Sequence, residues 1–239
     1  MTTTAVLEKL RKFDTPTICN VIELFDVRPR NSGFLDGRVH SDFPELPPMV
    51  GYAATAAFRS DAPPASGDAY GSIEAQLEQF EKLPGPAVVV IADLDDPEVG
   101  AVFGEVMCST YKAFGAQGLI TNGGGRDLEQ VEALSFPVFT GSTICSHAYC
   151  HLLHLGLPVR IGGRTICEAE LLHGDGNGVT SVPIDIATDI ADVAGEFVAA
   201  EAIIMDYVKA DGPKDIGTYA KRRRDFQAEV ERICKRIRN

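Results

Sequence analysis

The sequence predicts an α/β fold with parallel strand pairs, and three observations carry that reading. "PAVVVIADL" (Pro86–Leu94) is a continuous, β-branched apolar run of the kind a buried strand requires. From there to "FPVFTG" (Phe136–Gly141), β-prone and helix-patterned segments alternate, the rhythm of parallel strands joined by crossover helices. After Leu157 the pattern changes to short β-prone segments around glycine turns, followed by long helices.

Each element has a local reason. Leu7, Leu10, Ile18, Val21, Ile22 and Leu24 are spaced for helix over residues 5–26, with a break at "DTPT". There Asp14 or Thr15 can cap a second helix whose first residue is Pro16. Residues 27–48, rich in Gly, Pro and Asp, read as an irregular connection. Met49–Phe58 is a strand, Arg59–Gly71 a loop expected to be mobile, and 72–82 a short helix burying Ile73, Leu77 and Phe80. "DLDDPEVGAVF" leaves the central strand as an acidic loop. Gly104–Phe114 reads as a helix with Val106, Met107, Thr110, Tyr111 and Phe114 on one face and Gly115 ending it. Gly118–Thr121 is a strand and Asp127–Leu134 a helix. Leu157–Gly163 and Gly178–Asp185 are β-prone and flank "HGDGNG", read as a turn-rich linker. Ile186–Ala210 is amphipathic, and the tail 213–239 is a basic helix.

The totals fit one domain over 1–239, its core at about 50–205, with helical extensions at 5–26 and 213–239. The 239 residues are 45% hydrophobic, enough for a sizeable core. A net charge of −12 argues against nucleic acid or an anionic membrane as the main partner. The first seventeen residues carry charges where a signal peptide would be apolar, and the longest apolar run, Pro86–Ala92, is too short to span a bilayer. Six scattered cysteines without a CxxC read as reduced thiols, hence a cytoplasmic protein.

The chemistry concentrates in "GEVMCSTYKAFGAQGLITNGGGRDLEQ" (Gly104–Gln130). The helix starting near Gly104 offers unpaired N–H groups to a carboxylate. Asn122–Gly125 follows a strand, where open α/β sheets collect ligands, and its glycines allow close approach of backbone. Arg126 can grip an oxyanion with its rigid fork, and Asp127 can hold a hard cation such as Mg²⁺. Two readings stand side by side. The cluster is a site for a small keto acid, or Asp127 is simply the N-cap of its own helix with Arg126 solvated.

Gly104-Glu105-Val106-Met107, followed by Arg126 and Asp127, resembles the signature of the RraA-like family. "GPAVVVIAD" before it and "IGG…LLHGDGNGVTSVP" after it resemble the same family, over about residues 50–205. The family includes 4-hydroxy-4-methyl-2-oxoglutarate and 4-carboxy-4-hydroxy-2-oxoadipate aldolases, which also decarboxylate oxaloacetate, and a regulator of ribonuclease E. The resemblance implies an α/β/β sandwich related to phosphohistidine swivelling domains, assembled as trimers or hexamers. It implies that pyruvate binds Gly104, Glu105, Val106, Met107 and Arg126, with Asp127 as the direct ligand of Mg²⁺ or Mn²⁺. Glu105 and a glutamate of a neighbouring subunit, best matched by Glu201, steady the metal's waters. The implied reaction is carbon–carbon cleavage to pyruvate through a metal-stabilised enolate, with Glu105 relaying a proton. The alternatives are a non-catalytic regulator that binds a ribonuclease or helicase, and a lyase or hydratase acting on a related oxo acid.

The chain departs from the family in three places. Ala169 and Glu170 stand where Gly-Asp is usual, "TGSTICSHAYCHLLH" replaces a segment with Arg and Pro after "FPVF", and the 26–70 connection and basic tail are longer. Four further features compete for attention. His147, His151 and His154 would share a helical face and suggest zinc, or one of them could meet the substrate's distal carboxylate. "HGDGNGV" resembles part of a calcium loop but lacks the closing Glu and reads as turn formers. "KRRR" (Lys221–Arg224), near Asp225, Glu229 and Glu231, reads as a solvated helix or subunit contact. Cys108 reads as core packing rather than a lowered-pKa thiol.

Overall fold

A computed structural model describes residues 2–65 and 72–238. The expected loop at Arg59–Gly71 therefore lies partly outside the described residues.

Helices α1 (Thr4–Leu10) and α2 (Thr15–Phe25) open the chain. Asp14 caps α2 by accepting the Thr17 N–H at 2.8 Å, so Pro16 is the second helical residue rather than the first. The connection after α2 holds one short strand, β1 (His40–Ser41). Next come β2 (Met49–Arg59), α3 (Ile73–Phe80), β3 (Ala87–Asp93), β4 (Ala101–Phe103), α4 (Glu105–Ala113), β5 (Leu119–Thr121), β6 (Gly124–Gly125), α5 (Leu128–Ala133) and β7 (Val138–Thr140). Short strands β8 (Ser142–Thr143), β9 (His151–Leu153), β10 (Val159–Ile161), β11 (Arg164–Ile166), β12 (Leu171–Asp175) and β13 (Gly178–Ser181) precede two long helices, α6 (Ala187–Lys209) and α7 (Ile216–Ile237).

The central sheet runs β1-β7-β5-β3-β2-β12-β13, with β9 also on β2. Strands β2, β3, β5 and β7 are mutually parallel, as the alternating pattern predicts. One edge of β2 serves both β12 and β9, at Met49–Tyr52 and Ala57–Arg59. Between them the Glu168 carboxylate accepts the Thr55 N–H at 2.8 Å, so a side chain replaces the missing strand partner. A second sheet, β4-β6-β8, is parallel throughout.

The two-residue period of β3 divides the core. Val89 and Ile91 pack with Met107, Tyr111 and Val131 of α4 and α5. Val88 and Val90 pack with Val159, Ile161 and Ile166 of the β10–β11 hairpin. All four β3 residues are fully buried, each worth roughly 1.5–3 kcal/mol over exposure. A helical layer, the central sheet and a β layer therefore stack as the expected α/β/β sandwich. A third cluster joins α1, α2, α6 and α7 to Val50, Tyr52 and Leu171.

Those N-terminal helices are clasped to β12 by buried polar bonds. Thr15 donates its N–H to Asp175 at 2.8 Å and meets His173 Nδ1 at 2.9 Å, while His173 Nε2 lies 3.2 Å from the Leu10 carbonyl. The carbonyl requires Nε2–H, so the neutral ring accepts from Thr15 at Nδ1. Burial holds the His173 pKa below its ordinary value, which favours that neutral ring. "HGD" is thus strand, and only Gly176-Asn177 form the turn, with Asn177 N–H on Asp175.

Candidate active site

The candidate site is assembled by the small sheet. The sequence reading places the ligand end of a strand directly after "GLIT", but the chain first forms β6, paired in parallel with β4. Gly104 follows β4, Arg126 follows β6, and the Arg126 N–H donates to the Phe103 carbonyl at 3.1 Å. Two strand ends 22 residues apart are thereby fixed side by side. The glycine run is buried strand and strand approach rather than flexible loop. A Cβ at Gly125 would lie 2.4 Å from the Phe103 ring, at Gly124 2.8 Å from Ile144, and at Gly123 2.6 Å from Val102. The glycines let the small sheet pack against its own side chains, and none of the three has a positive φ.

Asp127 occupies the N-cap position of α5, yet its side chain does not cap that helix. Its backbone is left-handed, with φ 55° and ψ 37°, a conformation short polar side chains tolerate. Its Oδ2 instead accepts the Glu105 N–H, the first of α4, at 3.1 Å. Arg126 Nε lies 3.7 Å from the same oxygen. The arrangement needs Gly104: a Cβ there would sit 2.5 Å from Asp127 Oδ2 and 2.9 Å from Arg126 Nε. A carboxylate at a helix N-terminus is stabilised by the helix dipole, and the adjacent guanidinium adds to that.

The groups left uncommitted gather at one recess. Glu105 takes one helix-start N–H out of service, but those of Val106 and Met107 have no acceptor among the described residues. Val106 is 75% exposed, contrary to its expected place on the buried face, which is Met107, Cys108 and Tyr111. Phe114, also expected there, is 63% exposed. Arg126 and Asp127 side chains are 29% and 41% exposed. The result is a partly open recess with two N–H donors, a guanidinium and a carboxylate whose Oδ1 is uncommitted. Among the described residues no three His, Cys, Asp or Glu side chains converge. A cation here would rest on Asp127 and water. Mg²⁺ or Mn²⁺ fits that hard, water-rich donor set, whereas zinc wants three or four protein ligands.

Of the residues singled out in the sequence, Gly104, Glu105, Val106, Met107, Arg126 and Asp127 converge. Glu201 does not join them within one chain. It lies on α6 with Asp14 as its charged neighbour, and desolvation followed by that repulsion raises its carboxyl above the usual range. The histidine segment is a correction. It forms β8, a turn and β9, and left-handed Ala148 and His154 exclude a helix, so the three histidines share no helical face. His147 and His151 each set Nδ1 against a nearby backbone carbonyl. Cys108 is fully buried and its thiol is pushed up by desolvation, which favours packing over reactivity. Lys221–Arg224 form an exposed stretch of α7. What the sequence reading missed is the β4–β6 pairing itself, since strands of two and three residues leave no periodicity to detect.

The family model described as RraA-like, Aldolase/RraA, matches residues 15–181. The chain belongs to the RraA-like family. A relative in Halalkalibacterium halodurans, provisionally named 4-hydroxy-4-methyl-2-oxoglutarate aldolase, is 32% identical over 120 residues, 50% of this chain and 55% of that protein. This RraA-like chain thus spans about half the length of that curated relative. Among solved structures, an uncharacterized protein from Pseudomonas syringae aligns with TM-score 0.70 at 21% identity, over 93% of this chain and 94% of the other. Streptomyces coelicolor RraAS2, described as an unusual member of the RNase ES inhibitor RraA protein family, aligns with TM-score 0.66 at 22% identity, over 84% and 95%. At such identities these structures establish the RraA-like fold alone. The family holds aldolases and ribonuclease inhibitors. No helix among the described residues is long and apolar enough to cross a membrane.

Proposed function

We propose that this RraA-like chain is a divalent-metal-dependent lyase that cleaves small 2-oxo acids to pyruvate, of the 4-hydroxy-4-methyl-2-oxoglutarate aldolase type with oxaloacetate decarboxylase activity. The observation that carries the reading is the Asp127 carboxylate, drawn off its own helix to the start of α4 and set beside Arg126. The relative named as an aldolase supports the same reaction class.

The substrate's C1 carboxylate seats on the Val106 and Met107 N–H groups, and the Arg126 guanidinium donates to the C2 oxygen. Removing one such donor typically lowers the rate by ~10²–10³. Asp127 would hold Mg²⁺ or Mn²⁺, and the ion when bound would supply Lewis-acid stabilisation of the charge that develops at C2. In aldol cleavage Glu105 takes the proton of the C4 hydroxyl, the C3–C4 bond breaks with its electron pair staying on C3 as the pyruvate enolate, and the proton returned to C3 gives pyruvate. In decarboxylation of oxaloacetate the C3–C4 bond breaks with loss of CO₂, leaves the same enolate, and needs no base for a hydroxyl. Glu201 of a second copy completes the polar wall in an oligomer.

The test is pyruvate release from 4-hydroxy-4-methyl-2-oxoglutarate and from oxaloacetate, with Mg²⁺, with Mn²⁺ and with EDTA. Metal-dependent release from either supports the proposal. No release with either metal overturns it in favour of a ribonuclease- or helicase-binding regulator.

A further inference from the structure

A second cleft, of about 620 Å³, opens away from the Arg126–Asp127 recess. Its walls include Glu98, Asn122 and Gly141, which lie ahead of β4, β6 and β8. Gly104 and Arg126 follow β4 and β6. Because these strands are parallel, the cleft lies at their amino ends and the recess at their carboxyl ends. In the central sheet, Asn122 and Gly141 directly follow the parallel strands β5 and β7, so the cleft sits at their carboxyl ends. That is where open α/β sheets gather ligands.

The cleft wall carries two guanidiniums, Arg38 and Arg160, against one carboxylate, Glu98. Arg160, exposed between buried Val159 and Ile161, reaches its wall and has no ion-pair partner among the described residues. His40, held in register opposite Thr140, also lines the wall and has the Asp42 carboxylate as a charged neighbour. Arg38 spends Nε and Nη2 on Asp36 and keeps Nη1. The single acid in the wall, Glu98, is engaged by the Ser142 hydroxyl at 2.6 Å. The β10–β11 turn brings bare backbone to the wall through Gly162 and Gly163, at φ +52° and +75°. A fork-shaped cation without an ion-pair partner and exposed backbone over a polar hollow match a planar or tetrahedral oxyanion.

We propose that this cleft binds a small oxyanion-bearing ligand, a carboxylate or phosphate, at a site separate from the Arg126–Asp127 recess. The probes are inorganic phosphate and citrate, each titrated calorimetrically into the full-length chain, its R160A variant and its R126A variant. Saturable binding of at least one probe is expected, weakened roughly tenfold or more in R160A and changed less than about twofold in R126A. The probe that binds more tightly identifies the phosphate or the carboxylate source. Arg160 is exposed, so R160A keeps its fold, and R160K retains part of the affinity. Absence of saturable binding up to about 10 mM for both probes overturns the proposal. So does binding that R126A abolishes and R160A leaves intact.

Discussion

Gly104→Ala separates the geometry of the recess from the stability of the fold. The backbone at Gly104 is extended, with φ −154° and ψ −169°, so alanine adopts it without strain. Its methyl, however, would stand 2.5 Å from Asp127 Oδ2 and 2.9 Å from Arg126 Nε, where ordinary contact begins at 3.4 Å. Either the carboxylate retreats by about 0.9 Å or the start of α4 moves by as much. The retreat breaks the bond from the Glu105 N–H and shifts the guanidinium and the cation ligand together. Misplacement on the order of 1 Å in an aligned site can lower the rate ~10²-fold. The stability loss is smaller, about 1 kcal/mol for a partly exposed charge-assisted bond at a helix start, or roughly 2–4 °C in a chain of this size. The assay couples pyruvate release to lactate dehydrogenase with saturating Mg²⁺, alongside a thermal melt. A ~10²-fold fall in kcat/KM with a melt within a few degrees is expected. Wild-type kcat/KM in a folded variant would refute the reasoning, because the reacting groups would then not work from where they lie.

Asp127→Asn keeps the shape but removes the charge, so both pyruvate-releasing activities vanish and Mn²⁺ binding weakens by calorimetry; full activity in EDTA would defeat the metal assignment. Glu105→Gln lowers aldol cleavage more than oxaloacetate decarboxylation, and equal losses would sink the assignment of Glu105 as the hydroxyl's base. Asp93 is 6% exposed, its Oδ2 has no hydrogen-bond partner among the described residues, and desolvation raises its pKa from 3.8 to about 6. The folded state thus binds this proton more tightly than the unfolded chain, and Asp93's contribution to stability falls as pH rises from about 4 through 6. Asp93→Asn, which removes the charge, therefore raises the melting temperature at pH 7.5 and does little near pH 4; an equal shift at both values would show that ionisation is not the cause.

The parts legible in the sequence are those with length or a strong local rule. β3 announced itself by seven consecutive buried residues, and α2 by the Asp14 cap and Pro16. α6 and α7 span 23 and 22 residues, long enough for their patterns to show. The residues of the recess were legible through the Gly104-Glu105 and Arg126-Asp127 dipeptides, but not the means of bringing them together. That depends on β4 and β6, whose few bonds are set by packing across glycines, a tertiary effect invisible to any window. The histidine segment failed for a related reason. Its i, i+4, i+7 spacing mimics a helix, while left-handed residues and pairing with β2 decide the outcome. Nor does a sequence show which helix a carboxylate caps: Asp127 stands ahead of α5 and serves α4.

That misdirected cap makes one carboxylate a fastener and, under the proposed function, a reagent as well. The same oxygen that ties down the leading turn of α4 borders the proposed reacting centre, so under that proposal reactivity could not be discarded without also loosening a joint. A relative that lost the Asp127 carboxylate would need a replacement acceptor for the Glu105 amide, or would carry a frayed start to α4.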